Sequence, residues 1–199
     1  MNHTSNNPIP VTIITGFLGS GKTTLLNHIL SNQKGLKTAV LVNEFGKIGI
    51  DNDLIISTSE NIIELSNGCI CCSINGELLD EVKKILAKKE SIEYLIIETT
   101  GLADPLPVAM TFLTSELRDL TRLDSIVTLV DADNFNKESI QSNIFHSQIL
   151  YGDILILNKC DLVNKLKIRE IESKINDIKP GARILRSNLA QVELALILS

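Results

Sequence analysis

Seven apolar runs punctuate the chain: Val11–Thr15, Thr38–Asn43, Ile62–Leu65, Tyr94–Ile97, Ser125–Val130, Asp153–Leu157 and Arg183–Leu185. Most are continuous and rich in Val and Ile rather than alternating, which predicts strands covered on both faces. Helical periodicity fills the gaps. A helix is expected from Lys22 to about Leu30. Leu78, Leu79, Val82, Ile85 and Leu86 trace one apolar stripe, and Leu166, Ile171, Ile175 and Ile178 trace another. Lys179-Pro180-Gly181 ends the latter, since Pro lacks a donor and Gly accepts a positive φ. Strand–helix alternation of this kind predicts an α/β fold, a mostly parallel sheet with helices on both faces. Ligands in such sheets bind at the carboxyl ends of the strands. The stretches Gly46–Glu60 and Gly101–Pro107 show no clear element.

The first strand runs into Gly16-Phe17-Leu18-Gly19-Ser20-Gly21-Lys22-Thr23, which matches G-x-x-x-x-G-K-[ST] between a strand and a helix. Gly16, Gly19 and Gly21 let successive N–H groups, that of Ser20 among them, converge on a β-phosphate. Lys22 supplies charge for the β- and γ-phosphates, the Thr23 hydroxyl suits Mg²⁺, and Thr24 extends the contact into the helix. The positive end of the helix dipole points at the same anion. The motif in this setting predicts a P-loop NTPase.

The 199 residues allow one domain with a sizeable core, preceded by a polar lead-in over residues 1–8 that reads as disordered. A net charge of −5 argues against nucleic acid or an anionic membrane surface as the main partner. No apolar run approaches the ~20 residues that span a bilayer, and the amino terminus lacks a secretion signal. Three of the four cysteines fall within four residues, a pattern suited to a thiolate cluster in a reducing cytoplasm rather than to disulfides.

Asn158-Lys159-Cys160-Asp161 follows an apolar strand well downstream of the phosphate loop. Asp161 can accept from both N1–H and the exocyclic amine of guanine, a donor pair adenine lacks. Asn158 can meet the purine edge, and the Lys159 stem can cover the ring. GTP is therefore favoured over ATP, although a polar turn with Asp161 as N-cap would read similarly. Glu98, at the end of four apolar residues, suits a water-mediated Mg²⁺ contact. Gly101 could present an N–H to the γ-phosphate and report its presence. Leu102 follows Gly101 where Ras-like GTPases place a water-positioning Gln, and no Arg lies near either phosphate-side segment. Slow intrinsic hydrolysis is the expectation.

Gly68-Cys69-Ile70-Cys71-Cys72 is the second specific feature. Thiolates this close repel unless a cation sits among them, and soft sulfur selects Zn²⁺, Co²⁺ or Cu(I). Three sulfurs leave one tetrahedral position for water, Glu44 or a donor from a partner. Small buried hydrophobes or a redox pair are the alternatives, and neither explains three cysteines in four positions.

With Val42-Asn43-Glu44-Phe45-Gly46, Ile50-Asp51 and Glu98-Thr99-Thr100-Gly101-Leu102-Ala103-Asp104-Pro105 added, residues 9–199 resemble the CobW-like, SIMIBI-class family of metallochaperone GTPases. These are relatives of the urease and hydrogenase nickel accessory GTPases. The resemblance implies a P-loop G domain in which GTP–Mg²⁺ and a transition metal, usually Zn²⁺ or Co²⁺, communicate. It places Glu44 and Asp51 in a switch segment between phosphate, Mg²⁺ and the cysteines, with Lys22, Glu98 and Asp51 serving hydrolysis. It also implies delivery of metal to a client protein. A GTP-dependent switch with a structural zinc is the alternative, and a small-molecule P-loop kinase a weaker one. Two departures stand out. Lys47 replaces a Glu common after Asn-Glu-Phe-Gly, and a cation there cannot ligate metal. The family's further carboxy-terminal domain, often His-rich, is not in this chain, whose His3, His28 and His146 do not cluster. The chain reads as a G domain of a longer protein or as a short member.

Overall fold

The computed structural model describes residues 7–32, 36–42, 74–87, 92–136 and 140–198. Six strands form one sheet: β1 (Ile9–Gly16), β2 (Thr38–Val42), β3 (Tyr94–Glu98), β4 (Thr121–Asp131), β5 (Ile154–Asn158) and β6 (Ile184–Arg186). Every pairing is parallel, and the spatial order is β2-β3-β1-β4-β5-β6. From β1 the chain passes to the edge at β2, returns to place β3 between β2 and β1, and then builds outward on the other side through β4, β5 and β6. The reversal leaves a crevice at the carboxyl end of β1, where the phosphate loop begins.

Among the described residues five α-helices accompany the strands: α1 (Lys22–Asn32), α2 (Ile74–Ala87), α3 (Pro105–Thr114), α4 (Asn143–Tyr151) and α5 (Lys165–Ile178). Alternate strand residues sort the core by face. Val11, Ile13, Leu95 and Ile97 pack with Leu78, Val82 and Ile85 of α2 and Phe112 of α3. Leu155 and Leu157 continue that face under Phe145 and Ile149 of α4 and Ile168, Ile171 and Ile175 of α5. Ile14, Ile96, Val127 and Ile156 face the other way, against Leu25, Leu26 and Ile29 of α1 and against Ala190 and Ile197. Both faces are covered, as the continuous apolar strands require.

Several boundaries differ from the sequence expectation, each for a local reason. β4 begins four residues before Ser125, because Arg122 and Asp124 interrupt the apolar pattern while pairing continues. Its register against β1 shifts between Val11 and Thr12, leaving Asp124 as the extra residue of a bulge. The Asp124 carboxylate accepts from the Tyr94 hydroxyl at 2.7 Å. The supposedly irregular stretch from Gly101 contains the start of α3, with Pro105 at its first position and Asp104 as N-cap, accepting from Leu106 N at 2.9 Å. Leu166 does not join the stripe of α5: it is 76% exposed, and the buried series is Ile168, Ile171 and Ile175. α5 ends at Ile178, with Gly181 at φ +75° just beyond. The expected strand Ile62–Leu65 lies outside the described residues.

Candidate nucleotide site

All six strands end on one edge of the sheet, and the loops leaving β1, β3 and β5 carry the predicted chemistry. Gly16, Gly19 and Gly21 take positive φ, and the loop closes with Ser20 N donating to Phe17 O at 3.2 Å. Gly21 is required by space as well as by φ: a Cβ there would stand 2.5 Å from Asn158 Nδ2. The Ser20 hydroxyl is buried without a hydrogen-bond partner among the described residues. Such an orphan inside a phosphate loop fits a ligand that completes the site. Lys22 is buried at the loop's base, its Nζ donating to Phe17 O at 3.2 Å, while Thr24 is exposed on α1.

Thr23 Oγ1 donates to Glu98 Oε1 at 3.0 Å, across the junction of β1 and β3. Glu98 is 5% exposed, so the last residue of β3 holds its carboxyl group inside the cleft mouth. The hydroxyl and carboxylate are hard oxygen donors suited to Mg²⁺ and its waters. Beyond Glu98, Thr99 is tied to β1 through Thr15 Oγ1 at 2.9 Å and Ile14 O. Gly101 then lies against the phosphate loop. A Cβ there would stand 2.6 Å from Leu18 N, so the close approach admits glycine alone.

The turn after β5 is built around Asn158, which is 2% exposed. The sequence suggests that Asn158 meets the purine edge. Its carboxamide also engages the protein: Nδ2 donates one hydrogen to Ser20 O at 2.9 Å, and Oδ1 accepts from Ser187 Oγ at 3.0 Å and Ala190 N at 2.8 Å. It thus joins the phosphate loop to the turn after β6. Lys159 adopts φ 60°, and its Nζ donates to Asp131 Oδ2 at 2.7 Å. Asp131 also accepts from Asn134 Nδ2 at 2.8 Å and from the Asp133 and Asn134 N–H groups. Burial would push the Asp131 carboxyl up, but the hydrogen bonds from Asn134 and Lys159 outweigh it and hold the group below its usual 3.8. Asp161 is exposed at the tip, its backbone N–H held by Asn188 Oδ1 at 3.1 Å. A cavity of about 370 Å³ opens beside this turn, lined by Cys160, Ser187, Asn188 and Gln191 with Arg186.

The structure therefore brings together Gly16 to Thr23, Glu98, Gly101, Asn158, Lys159 and Asp161. Glu44, Lys47, Asp51, Cys69, Cys71 and Cys72 lie outside the described residues. Asp131 and the Ser187–Ala190 turn escaped the sequence reading. Asp131 shares one signal with Glu98, an acid closing a buried apolar strand. The turn is marked only by following the last strand, and there Leu189 and Ala190 both take left-handed φ, at 52° and 54°.

Residues 10–186 match the family model described as CobW/HypB/UreG, nucleotide-binding domain. The chain belongs to this family. Among relatives, it is 39% identical to the Zinc-regulated GTPase metalloprotein activator 1 of Dictyostelium discoideum over 229 aligned positions, which cover 96% of this chain and 48% of that protein. It is 44% identical to the Zinc chaperone YjiA of Escherichia coli over 180 positions, covering 87% of this chain and 57% of the relative. This CobW/HypB/UreG member spans about half the length of the relatives it matches. Its fold is similar to the crystal structure of Zn(II)-bound YjiA GTPase from E. coli, with TM-score 0.72 and 34% identity over 96% of this chain and 61% of that one. The nickel-bound HypB of Helicobacter pylori, at 19% identity and TM-score 0.63 over 92% of this chain and 80% of its own, shares the fold. Among the described residues no helix is long and apolar enough to cross a membrane.

Proposed function

We propose that this CobW/HypB/UreG domain binds and hydrolyses GTP and couples that cycle to the holding and transfer of zinc or cobalt. The observation that carries the reading is the Thr23–Glu98 contact at the switch point, with the Asp161 turn tied to the same loop through Asn158. Lys22 and the loop N–H groups would take the β- and γ-phosphates, and Asp161 the guanine donors, with Lys159 held by Asp131 beside the base. Thr23 and Glu98 would hold Mg²⁺ and its waters, and the bound cation would neutralise charge that develops on the phosphates. Gly101, pressed on Leu18, would report the γ-phosphate. No Gln follows Gly101 and no Arg lies near either phosphate-side segment in sequence, so turnover would be slow.

The metal is cargo. Relatives are named zinc chaperones and a zinc-regulated GTPase, and Cys69, Cys71 and Cys72 supply soft donors for such an ion, with Glu44 as a further candidate. Nucleotide state would set metal affinity through the Glu44–Asp51 segment, and the receiver would be a client protein in the cytoplasm. Asp161→Asn tests the base assignment. It should weaken GTP while leaving the thermal midpoint in place. Unchanged preference for GTP over ATP would overturn the assignment.

A further inference from the structure

Gln148 sits in the middle of α4 and is 1% exposed. Its Nε2 donates to two backbone carbonyls of the segment after β3, Gly101 O at 3.3 Å and Ala103 O at 3.1 Å. Both partners are acceptors only, so the amide nitrogen must face them. The adjacent Ser147 hydroxyl donates to the Asp104 carboxylate, the same group that caps α3. One turn of α4 thus grips Gly101, Ala103 and Asp104. That turn is itself fastened to the sheet, because Thr128 Oγ1 of β4 donates to Gln148 O at 2.7 Å.

Packing alone does not account for an amide at this place. Gln148 Oε1 is buried with no hydrogen-bond partner among the described residues, a cost that an apolar side chain of equal length would avoid. The carboxamide contributes its donors, and those donors go to a segment that also touches the phosphate loop, through Gly101 and Leu18.

We infer that Gln148 is a positioning residue for the γ-phosphate response: it holds the Gly101–Asp104 segment in the register that lets Gly101 meet the phosphate, and links that segment to α4. The inference rests on the reading of Gly101 as the phosphate reporter. A ligand shifts such an element only by its differential affinity for the two arrangements, so the effect must appear in the difference between GTP and GDP.

Gln148→Met keeps length and removes both donors. Its affinity for GDP should be unchanged, while its affinity for a non-hydrolysable GTP analogue falls about tenfold, the effect of losing two hydrogen bonds to backbone carbonyls. Equal weakening of both nucleotides, or of neither, overturns the inference. Gly101→Ala run in parallel separates the two claims. If it loses discrimination while Gln148→Met keeps it, Gly101 reports the phosphate and the Gln148 link is wrong. If both variants still discriminate as the unsubstituted chain does, the Gly101 reading fails and the link with it. Should Gln148→Met not fold, amide exchange in the unsubstituted chain decides. The amides of 101–104 and 145–149 should gain protection together on binding the GTP analogue and not on binding GDP. Protection of one segment without the other overturns the inference.

Discussion

Thr23 and Glu98 are 75 residues apart, yet the hydroxyl of one donates to the carboxylate of the other at 3.0 Å. The contact exists because β1 and β3 pair in parallel with Ile14 opposite Glu98, bringing the end of one strand beside the loop that leaves the other. Since the Glu98 carboxylate would reach Mg²⁺ through water, Glu98→Gln should spare nucleotide binding. It should lower Mg²⁺-dependent GTP hydrolysis by about 10–100-fold, the usual effect of losing an outer-sphere partner of a metal. Phosphate release measured across a Mg²⁺ titration checks this, and a rate unchanged at low Mg²⁺ would contradict it.

Asn158 is the joint between three segments, so its loss should be felt in the fold before it is felt in chemistry. Asn158→Ala removes three hydrogen bonds and leaves Ser20 O and Ala190 N without them in a buried place. At about 1 kcal/mol each, the cost is about 3 kcal/mol. For a chain of this size that lowers the thermal midpoint by roughly 6–12 °C. Calorimetry without nucleotide reads the effect directly. A shift within experimental error would mean that the turn after β6 is held by other contacts.

Asp131 makes stability depend on pH in one direction. Its folded carboxyl is held below the ordinary 3.8, so its contribution is fully present above the unfolded value. That contribution is lost as pH falls through the lower folded value, when the proton displaces Lys159 and Asn134. Denaturant midpoints measured from neutral pH down to about pH 3 should therefore fall less steeply for Asp131→Asn than for the unsubstituted chain. Parallel slopes would show that the acid end of the profile belongs to other carboxylates.

The sheet and the phosphate loop could be read from local pattern because most strands carry a continuous apolar run and the loop is contiguous in sequence. The helices were less legible where one residue decided the phase. Leu166 lies five positions before Ile171, about 140° off the stripe on a helix of 3.6 residues per turn, whereas Ile168 lies three before it and is buried. Ile171→Ala should accordingly cost about 2–5 kcal/mol, and Leu166→Ala within about 0.5 kcal/mol of nothing. Urea titrations that rank the two otherwise would refute the assigned face. Asp131, Gln148 and Ser187 escaped notice for a different reason. Each acts on a segment at least 28 residues away, through contacts that only the strand order creates.

The metal reading turns on Cys71, which stands between Cys69 and Cys72 in the run Cys69-Ile70-Cys71-Cys72. If the three thiols share one ion, Cys71→Ser should remove most zinc affinity, because a hydroxyl is far less acidic than a thiol and a harder ligand. Lys22, Thr23 and Glu98 are untouched by the change, so basal hydrolysis should remain near that of the unsubstituted chain. What should disappear is the coupling. Metal and GTP must tighten each other by the same factor, typically about 5–150-fold, because linkage between two binding sites is reciprocal. Competition titrations with a zinc chelator, run with GDP and with a non-hydrolysable GTP analogue, measure that factor from the metal side. Nucleotide titrations with and without zinc measure it from the other. Zinc affinity should also weaken as pH falls, since the thiols must lose protons to ligate. A variant that still held one zinc at full strength would make Cys71 an ordinary packed residue. A chain whose GTP affinity ignored zinc would leave the cysteines structural.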